Sequence, residues 1–138
     1  MATVLKAENI KKKFYQPTEF EVLKGVSFDV NEGEFFSIIG KSGCGKSTLL
    51  YMLSTMDTDY EGQLFIKGEK LTGSKQNALA AFRNAHLGFV FQFHFLLPEF
   101  TALKNVMLPA LKLGKYSEQE VEHRAMEKLR LVGMDEYA

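Results

Sequence analysis

The residues best suited to chemistry in this chain lie in one short run, Gly40-Lys41-Ser42-Gly43-Cys44-Gly45-Lys46-Ser47-Thr48. The run fits the phosphate-loop (P-loop) pattern G-x-x-x-x-G-K-[ST] at every fixed position. Its three glycines can take backbone conformations closed to residues with a Cβ, so successive N–H groups can turn inward around a β-phosphate. The run therefore predicts a binding site for the phosphates of a nucleoside triphosphate.

Two side chains at the end of this loop have the chemistry to complete such a site. Lys46 adds a point charge beside the phosphates, and the Ser47 hydroxyl is placed by the pattern as a ligand for Mg²⁺. A helix expected to begin near Lys46 would direct the positive end of its dipole at the same anion. All nine residues from Gly40 to Thr48 are accordingly candidate nucleotide-binding residues.

The surrounding elements must hold this loop in place, and their pattern indicates an α/β fold. An apolar run, Phe35 to Ile39, is expected to be the strand that enters the loop, and Leu87 to Phe91 a buried strand that delivers Gln92. Asn77 to Asn84 has the pattern of a helix. Further strands are expected at residues 4–10, 22–30 and 63–68.

The final third of the chain is predicted to be mostly helical. Ser117 and Glu120 have the spacing of a capping box, and a helix starting there would bring four apolar residues to one face. Those residues are Val121, Ala125, Leu129 and Val132. No repeat, low-complexity segment or Pro/Gly-rich linker divides the chain, so residues 1–138 are assigned to one domain.

Composition limits the class of protein. The chain is 46% hydrophobic and 12% aromatic, which is typical of a globular domain, and its formal net charge of zero does not favour a nucleic-acid partner. The basic run Lys11 to Lys13 is interpreted as a solvated strand end. Cys44, the one cysteine, excludes an intramolecular disulfide. No signal peptide or membrane span is indicated, so a cytosolic location is expected.

Several segments together resemble the nucleotide-binding domain of ATP-binding cassette (ABC) transporters, a P-loop NTPase fold with an N-terminal antiparallel β region. They are Glu8 to Phe14, Val22 to Phe28, Gly33 to Phe36 and the P-loop. The stretch Phe91 to Val106 is similar to the lipoprotein-releasing and macrolide-exporter branch of that family. The resemblance covers essentially the whole chain.

The resemblance implies ATP and Mg²⁺ as ligands and gives roles to particular residues. Phe14 is the candidate that stacks on adenine, with Tyr15 as the alternative. Gln92 is expected to contact the metal, as Ser47 does, or to orient the attacking water. Lys46 and Gln92 are the candidate catalytic residues. His94 is expected to be a packing or docking residue rather than a metal ligand, since no second His or Cys stands at ligand spacing.

The resemblance also implies partners. The apolar segment Gln92 to Phe100 would dock integral membrane subunits of a transporter, and a second ATP-binding domain would complete a dimer. The protein would then be peripheral on the cytoplasmic face of the cell membrane and couple ATP to export of lipoproteins, lipids or drugs.

Three elements of a complete cassette do not occur in this sequence: the Leu-Ser-Gly-Gly-Gln-type signature, the Walker B strand ending in Asp-Glu, and the switch histidine. Leu131 to Glu136 is rejected as Walker B because it closes a helix. The chain is therefore expected to be an N-terminal fragment, poorly stable and inactive as an ATPase unless the other half completes it. The alternatives are a non-hydrolysing regulatory module, an ABC importer, or another P-loop enzyme such as a GTPase or small kinase.

Overall fold

The computed structural model describes all residues 1–138, which group into two compact units, Met1–Ala80 and Ala81–Ala138. The assignment of residues 1–138 to one partial domain stays a prediction. In chain order the elements are β1 (Thr3–Phe14), β2 (Phe20–Asn31), α1 (Lys46–Leu53), β3 (Glu61–Ile66), β4 (Glu69–Lys70), α2 (Gln76–His86), α3 (Ala102–Leu113) and α4 (Glu118–Leu131), followed by a 3₁₀ turn at Asp135–Tyr137.

The first unit is built on an antiparallel sheet with the strand order β2-β1-β3-β4. Its core forms where β1 and β2 pack against α1, the helix that follows the P-loop. The buried residues of that core are Ala7, Ile10, Leu23, Leu49 and Met52. Because the side chains of α1 lock into this core, the sheet fixes where the start of the helix, and with it the P-loop, can lie.

Two strands expected from apolar runs do not form. Residues 35–39 and 87–91 have no regular secondary structure, and Phe35, Ile39 and Val90 are each at least 90% exposed. A strand needs a neighbouring strand to complete its backbone hydrogen bonds, and neither segment joins the sheet, whose order is β2-β1-β3-β4. Phe36 still stacks on Phe28 of β2, with ring centroids 4.9 Å apart.

The core of the second unit lies between α3 and α4 and contains Met107, Val121 and Ala125. The predicted cap of α4 is confirmed, since Ser117 Oγ accepts a hydrogen bond from the Glu120 N–H at 3.3 Å. Val121, Ala125 and Leu129 are buried on one face of α4 as a set. Val132, which the sequence predicts on the same helical face, follows the last residue of the helix and is 69% exposed. The turn at Asp135–Tyr137 agrees with the rejection of a Walker B strand there.

No helix combines the length and the apolar character needed to cross a lipid bilayer.

Candidate nucleotide-binding site

The P-loop lies between β2 and α1 and has the backbone that phosphate binding requires. Gly43 and Gly45 have φ values of 78° and 99°, in the left-handed region that favours glycine. Gly45 is also the N-cap of α1, and no side chain caps the helix. The first N–H groups of α1 therefore have no capping side chain in the way of an anion, which is the donor arrangement that suits a phosphate.

Lys46 is already held against this loop. Its Nζ donates hydrogen bonds to the carbonyl oxygens of Gly40 at 2.8 Å and Lys41 at 2.7 Å, and it lies 3.6 Å from Cys44 Sγ. The N–H of Cys44 in turn donates to the Lys41 carbonyl at 3.3 Å. Gly40, Lys41 and Cys44 thus shape the loop around the ammonium, which fits a ligand rich in negative charge.

A cleft of about 350 Å³ joins the P-loop to an aromatic wall. The wall is formed by Phe14 at the end of β1 and Phe20 at the start of β2. The remaining lining residues are Val22, Ser42, Gly43, Gly45, Lys46, Ser47 and Thr48. Phe14 and six of the nine predicted loop residues therefore line one cavity in the first unit.

Tyr15, the alternative to Phe14, lies elsewhere. It lines a different, smaller cavity with Lys11, Lys13 and Glu61 among others. The structure thus brings Phe14 to the P-loop cleft and does not bring Tyr15 there.

Phe20 and Val22 were not among the residues that the motifs indicated. Phe20 is the partner of Phe14 in the β1–β2 pairing, and the two ring centroids are 5.9 Å apart with planes inclined by 31°. Phe20 could have been found by pairing the two expected strands across the Gln16-Pro17-Thr18 turn. A tight turn places the end of the first strand beside the start of the second, and so Phe20 beside Phe14.

The buried ammonium group of Lys12 lies next to the aromatic wall. The sequence predicts a solvated strand end at Lys12, but this residue is only 4% exposed, and its Nζ lies 5.4 Å from the centroid of the Phe14 ring. Burial by itself lowers the pKa of Lys12, but hydrogen bonds to Asp57 and Asp59 outweigh that effect and raise it above the ordinary value. Lys12 therefore stays charged inside the first unit.

Gln92 belongs to the second unit, where it is exposed at a bend after α2. The P-loop belongs to the first unit, so the proposed pairing of Gln92 with Ser47 on a metal stays a prediction. His94 is also exposed, and no group of three His, Cys, Asp or Glu side chains is placed to hold a metal ion.

The segment after Gln92 presents a set of apolar side chains to solvent. Phe93, Phe95, Leu96, Leu97 and Phe100 are all between 39% and 68% exposed. The last part of the segment is fixed by one side chain, Asn105 of α3. Its Oδ1 accepts from the Leu97 N–H at 2.9 Å, and its Nδ2 donates to the carbonyl oxygens of Leu97, Phe100 and Thr101. The apolar segment is therefore anchored to α3 at its C-terminal end.

Comparison with known proteins identifies the family. The family model described as ABC transporter matches residues 23–138. The chain belongs to the ABC transporter family. The resemblance found in the motifs is confirmed, and the alternative of a GTPase or small kinase from another P-loop family is excluded.

Curated ABC relatives are similar along most of the chain. It is 51% identical over 122 residues to the lipoprotein-releasing system ATP-binding protein LolD of Aquifex aeolicus (strain VF5), a match that covers 88% of this chain and 53% of that protein. It is 48% identical over 135 residues to LolD of Cytophaga hutchinsonii, covering 98% of this chain and 60% of that protein. The chain thus spans little more than half the length of these relatives.

Solved structures confirm the predicted fold class. A dimeric, post-hydrolysis state of the ATP-binding cassette MJ0796 bound to ADP and Pi matches with a TM-score of 0.85 and 37% identity, covering 91% of this chain and 56% of that one. A second dimeric structure of this bacterial ABC transporter cassette matches equally well. The chain is therefore the N-terminal part of an ABC-type P-loop fold.

Proposed function

We propose that the chain binds ATP as part of the ATP-binding subunit of an ABC transporter. The observation that carries the proposal is the single cleft in which Phe14 and the P-loop face the same space. An aromatic ring suits an adenine base, which it can stack on without reading its edges, and the loop suits a triphosphate.

The phosphates would be held by backbone and charge together. The left-handed conformations of Gly43 and Gly45 orient N–H groups of the loop, and the start of α1 adds its dipole. Lys46 would exchange its hydrogen bonds to two loop carbonyls for hydrogen bonds to phosphate oxygens, which are stronger because both partners are charged. Ser42 and Thr48 line the same cleft and are proposed as further contacts.

Mg²⁺ would be held by the hydroxyl of Ser47, a residue in the first turn of α1 that lines the cleft. Gln92 is proposed as the second protein ligand, through its amide oxygen, and as the group that orients water. Bound MgATP would supply the phosphoanhydride bond whose hydrolysis drives transport. We propose turnover only for the assembled cassette, with Lys46 and Gln92 acting alongside groups that the 138 residues do not contain.

The transport role is proposed from the relatives and from one surface. The similarity to LolD supports release of lipoproteins as the process served, with lipids or drugs as other exported cargo. The exposed apolar segment from Gln92 to Phe100 is the proposed docking surface for the membrane subunits. A second ATP-binding domain would complete a dimer, as in the dimeric MJ0796 structures. The subunit would then sit peripherally on the cytoplasmic face of the membrane.

Titration of the purified polypeptide with MgATP tests the proposal. Lys46→Ala removes a charge-assisted contact and should weaken ATP binding more than about tenfold. Lys24→Ala, at an exposed lysine on β2, is the matched control and should change nothing. Unchanged ATP affinity in Lys46→Ala would contradict the proposal.

Two alternatives, a non-hydrolysing regulatory module and an ABC importer, are tested by assays of ATP hydrolysis and of transport. The regulatory module predicts ATP affinity with no turnover even when the membrane subunits and a complete cassette partner are supplied. ATP hydrolysis that depends on Lys46 in the complete assembly would favour the transporter subunit. An ABC importer would be favoured if this hydrolysis drove uptake rather than release of the transported substrate.

A further inference from the structure

Lys12 is the only charged residue among the buried residues of the chain. Its side chain is 5% exposed, whereas the lysine beside it, Lys13, pairs with Glu19 on the surface and is 39% exposed. A buried ammonium is costly unless its protons are all hydrogen-bonded, so its partners indicate what it does.

All of the oxygen partners of Lys12 belong to the loop that follows α1. Its Nζ lies 3.1 Å from Asp57 Oδ2 and 3.1 Å from Asp59 Oδ2, and it also donates to the Asp59 backbone carbonyl. Asp57 Oδ1 accepts from the Asp59 N–H at 2.9 Å, which holds the two acidic residues together. Strand β1 is thereby bound to this loop by a charged network rather than by apolar packing alone.

The loop is in turn fixed to the P-loop helix. The N–H of Asp57 donates to the Tyr51 carbonyl in the last turn of α1 at 3.2 Å, and the N–H of Met56 donates to the same oxygen at 3.0 Å. A displacement of Asp57 would therefore be felt at the C-terminal end of α1, whose N-terminal end forms the phosphate site.

The other contact of Lys12 is with the aromatic wall. Its Nζ lies 5.4 Å from the centroid of the Phe14 ring, within the range of a cation–π interaction. One side chain thus touches both the residue proposed to stack on adenine and the loop that terminates the helix of the P-loop.

We propose that Lys12 is a positioning residue that sets the separation between the Phe14 ring and the P-loop, so that base and triphosphate bind together. This inference rests on the proposed function, since it concerns how the same cleft takes a whole nucleotide. A nucleotide has a fixed span between its base and its phosphates, and a wall that shifts relative to the loop can hold one end but not both.

Two ligands separate this role from a merely structural one. MgATP uses both ends of the cleft, whereas magnesium tripolyphosphate uses only the P-loop. If Lys12 had only a structural role, its replacement would lower the affinities for both ligands by the same factor or leave both unchanged. If Lys12 is a positioning residue, its replacement lowers the affinity for ATP alone.

The main variant is Lys12→Met, which keeps the length of the side chain and removes the charge. Base–aromatic stacking contributes about 5- to 150-fold in affinity, so a displaced ring should cost ATP about tenfold. Tripolyphosphate affinity should stay within about twofold. Lys13→Met removes a neighbouring surface ion pair and should change neither affinity.

A milder variant covers the case in which Lys12→Met does not fold. Asp57→Asn keeps an oxygen acceptor near Nζ, and Asp57 is 29% exposed, so this protein should fold. It should lower the ratio of ATP to tripolyphosphate affinity in the same direction, by about threefold. Lys12→Arg, which retains the cation, should recover part of the ratio lost in Lys12→Met.

The outcomes are distinguishable from those that test the proposed function. Loss of both ligands in equal measure, or an unchanged ratio in both Lys12→Met and Asp57→Asn, overturns the positioning role and leaves ATP binding intact as a proposal. A wild-type protein that binds neither ligand overturns both.

Discussion

Alanine at Gly45 should deform the P-loop, and the structure indicates two separate reasons. The φ of Gly45 is 99°, a conformation that residues with a Cβ rarely adopt. A Cβ built there would also lie 2.5 Å from Val22 Cγ1 and 3.2 Å from Leu23 Cδ2, well inside normal contact. The variant therefore combines backbone strain with a steric clash against β2.

Gly43 provides a control that has the strain without the clash. Its φ is 78°, and a Cβ there would meet nothing within 4 Å. We expect Gly43→Ala to lower the free energy of unfolding by about 1–2 kcal/mol, the cost of a left-handed residue with a Cβ. Gly45→Ala adds overpacking of about 1–3 kcal/mol, for a total of about 2–5 kcal/mol.

Urea denaturation of both variants measures the stability difference, and ATP titration measures the consequence for the cleft. A thermodynamic cycle with Val22→Ala identifies the clash, because removing Cγ1 should restore about 1 kcal/mol or more to Gly45→Ala. If Gly45→Ala were no less stable than Gly43→Ala, or if Val22→Ala gave no recovery, the close approach of the P-loop to β2 would be refuted.

Three further predictions follow from single side chains. Phe20→Ala should weaken ATP binding by about fivefold and leave tripolyphosphate binding unchanged, because Phe20 belongs to the aromatic wall of the cleft and not to the P-loop. Equal ATP affinity in the wild type and in Phe20→Ala would show that Phe20 is not part of the site. Asn105→Ala should speed amide exchange at Leu97 by about tenfold, measured by NMR, since that N–H donates to Asn105 Oδ1; Asn84→Ala, which loses a hydrogen bond to Pro109, is the control and should leave Leu97 unaffected. The raised pKa of Lys12 contributes stability that is complete below the ordinary lysine value of 10.5 and is lost as the pH rises through the higher folded value; denaturation at rising pH should show this loss in the wild type and not in Lys12→Met.

The P-loop and its helix could be predicted from the sequence because their signals are local. The glycine spacing and the charge of Lys46 are properties of nine consecutive residues, and α1 begins at Lys46 as expected. The cap of α4 by Ser117 is local in the same sense. In each case the interaction joins residues only a few positions apart, so the pattern alone contains the answer.

The features that the sequence did not reveal depend on partners distant along the chain. Residues 35–39 have the pattern of a strand, but strand formation is decided by a neighbour and not by the segment itself. The sequence pattern around Lys12 is that of a surface lysine, because the carboxylate that accepts its hydrogen bond belongs to Asp57, 45 positions away. Phe20 becomes a site residue only when β2 pairs with β1 and sets it beside Phe14.

Photolabelling with 8-azido-ATP, followed by mass spectrometry of the labelled peptides, tests most directly whether ATP binds between the aromatic wall and the P-loop. Label on the peptide that contains Phe14 and Phe20, competed by unlabelled ATP and lost in Lys46→Ala, is the result predicted by the cleft in the first unit. Label confined to the second unit, or label that persists in Lys46→Ala, would contradict it.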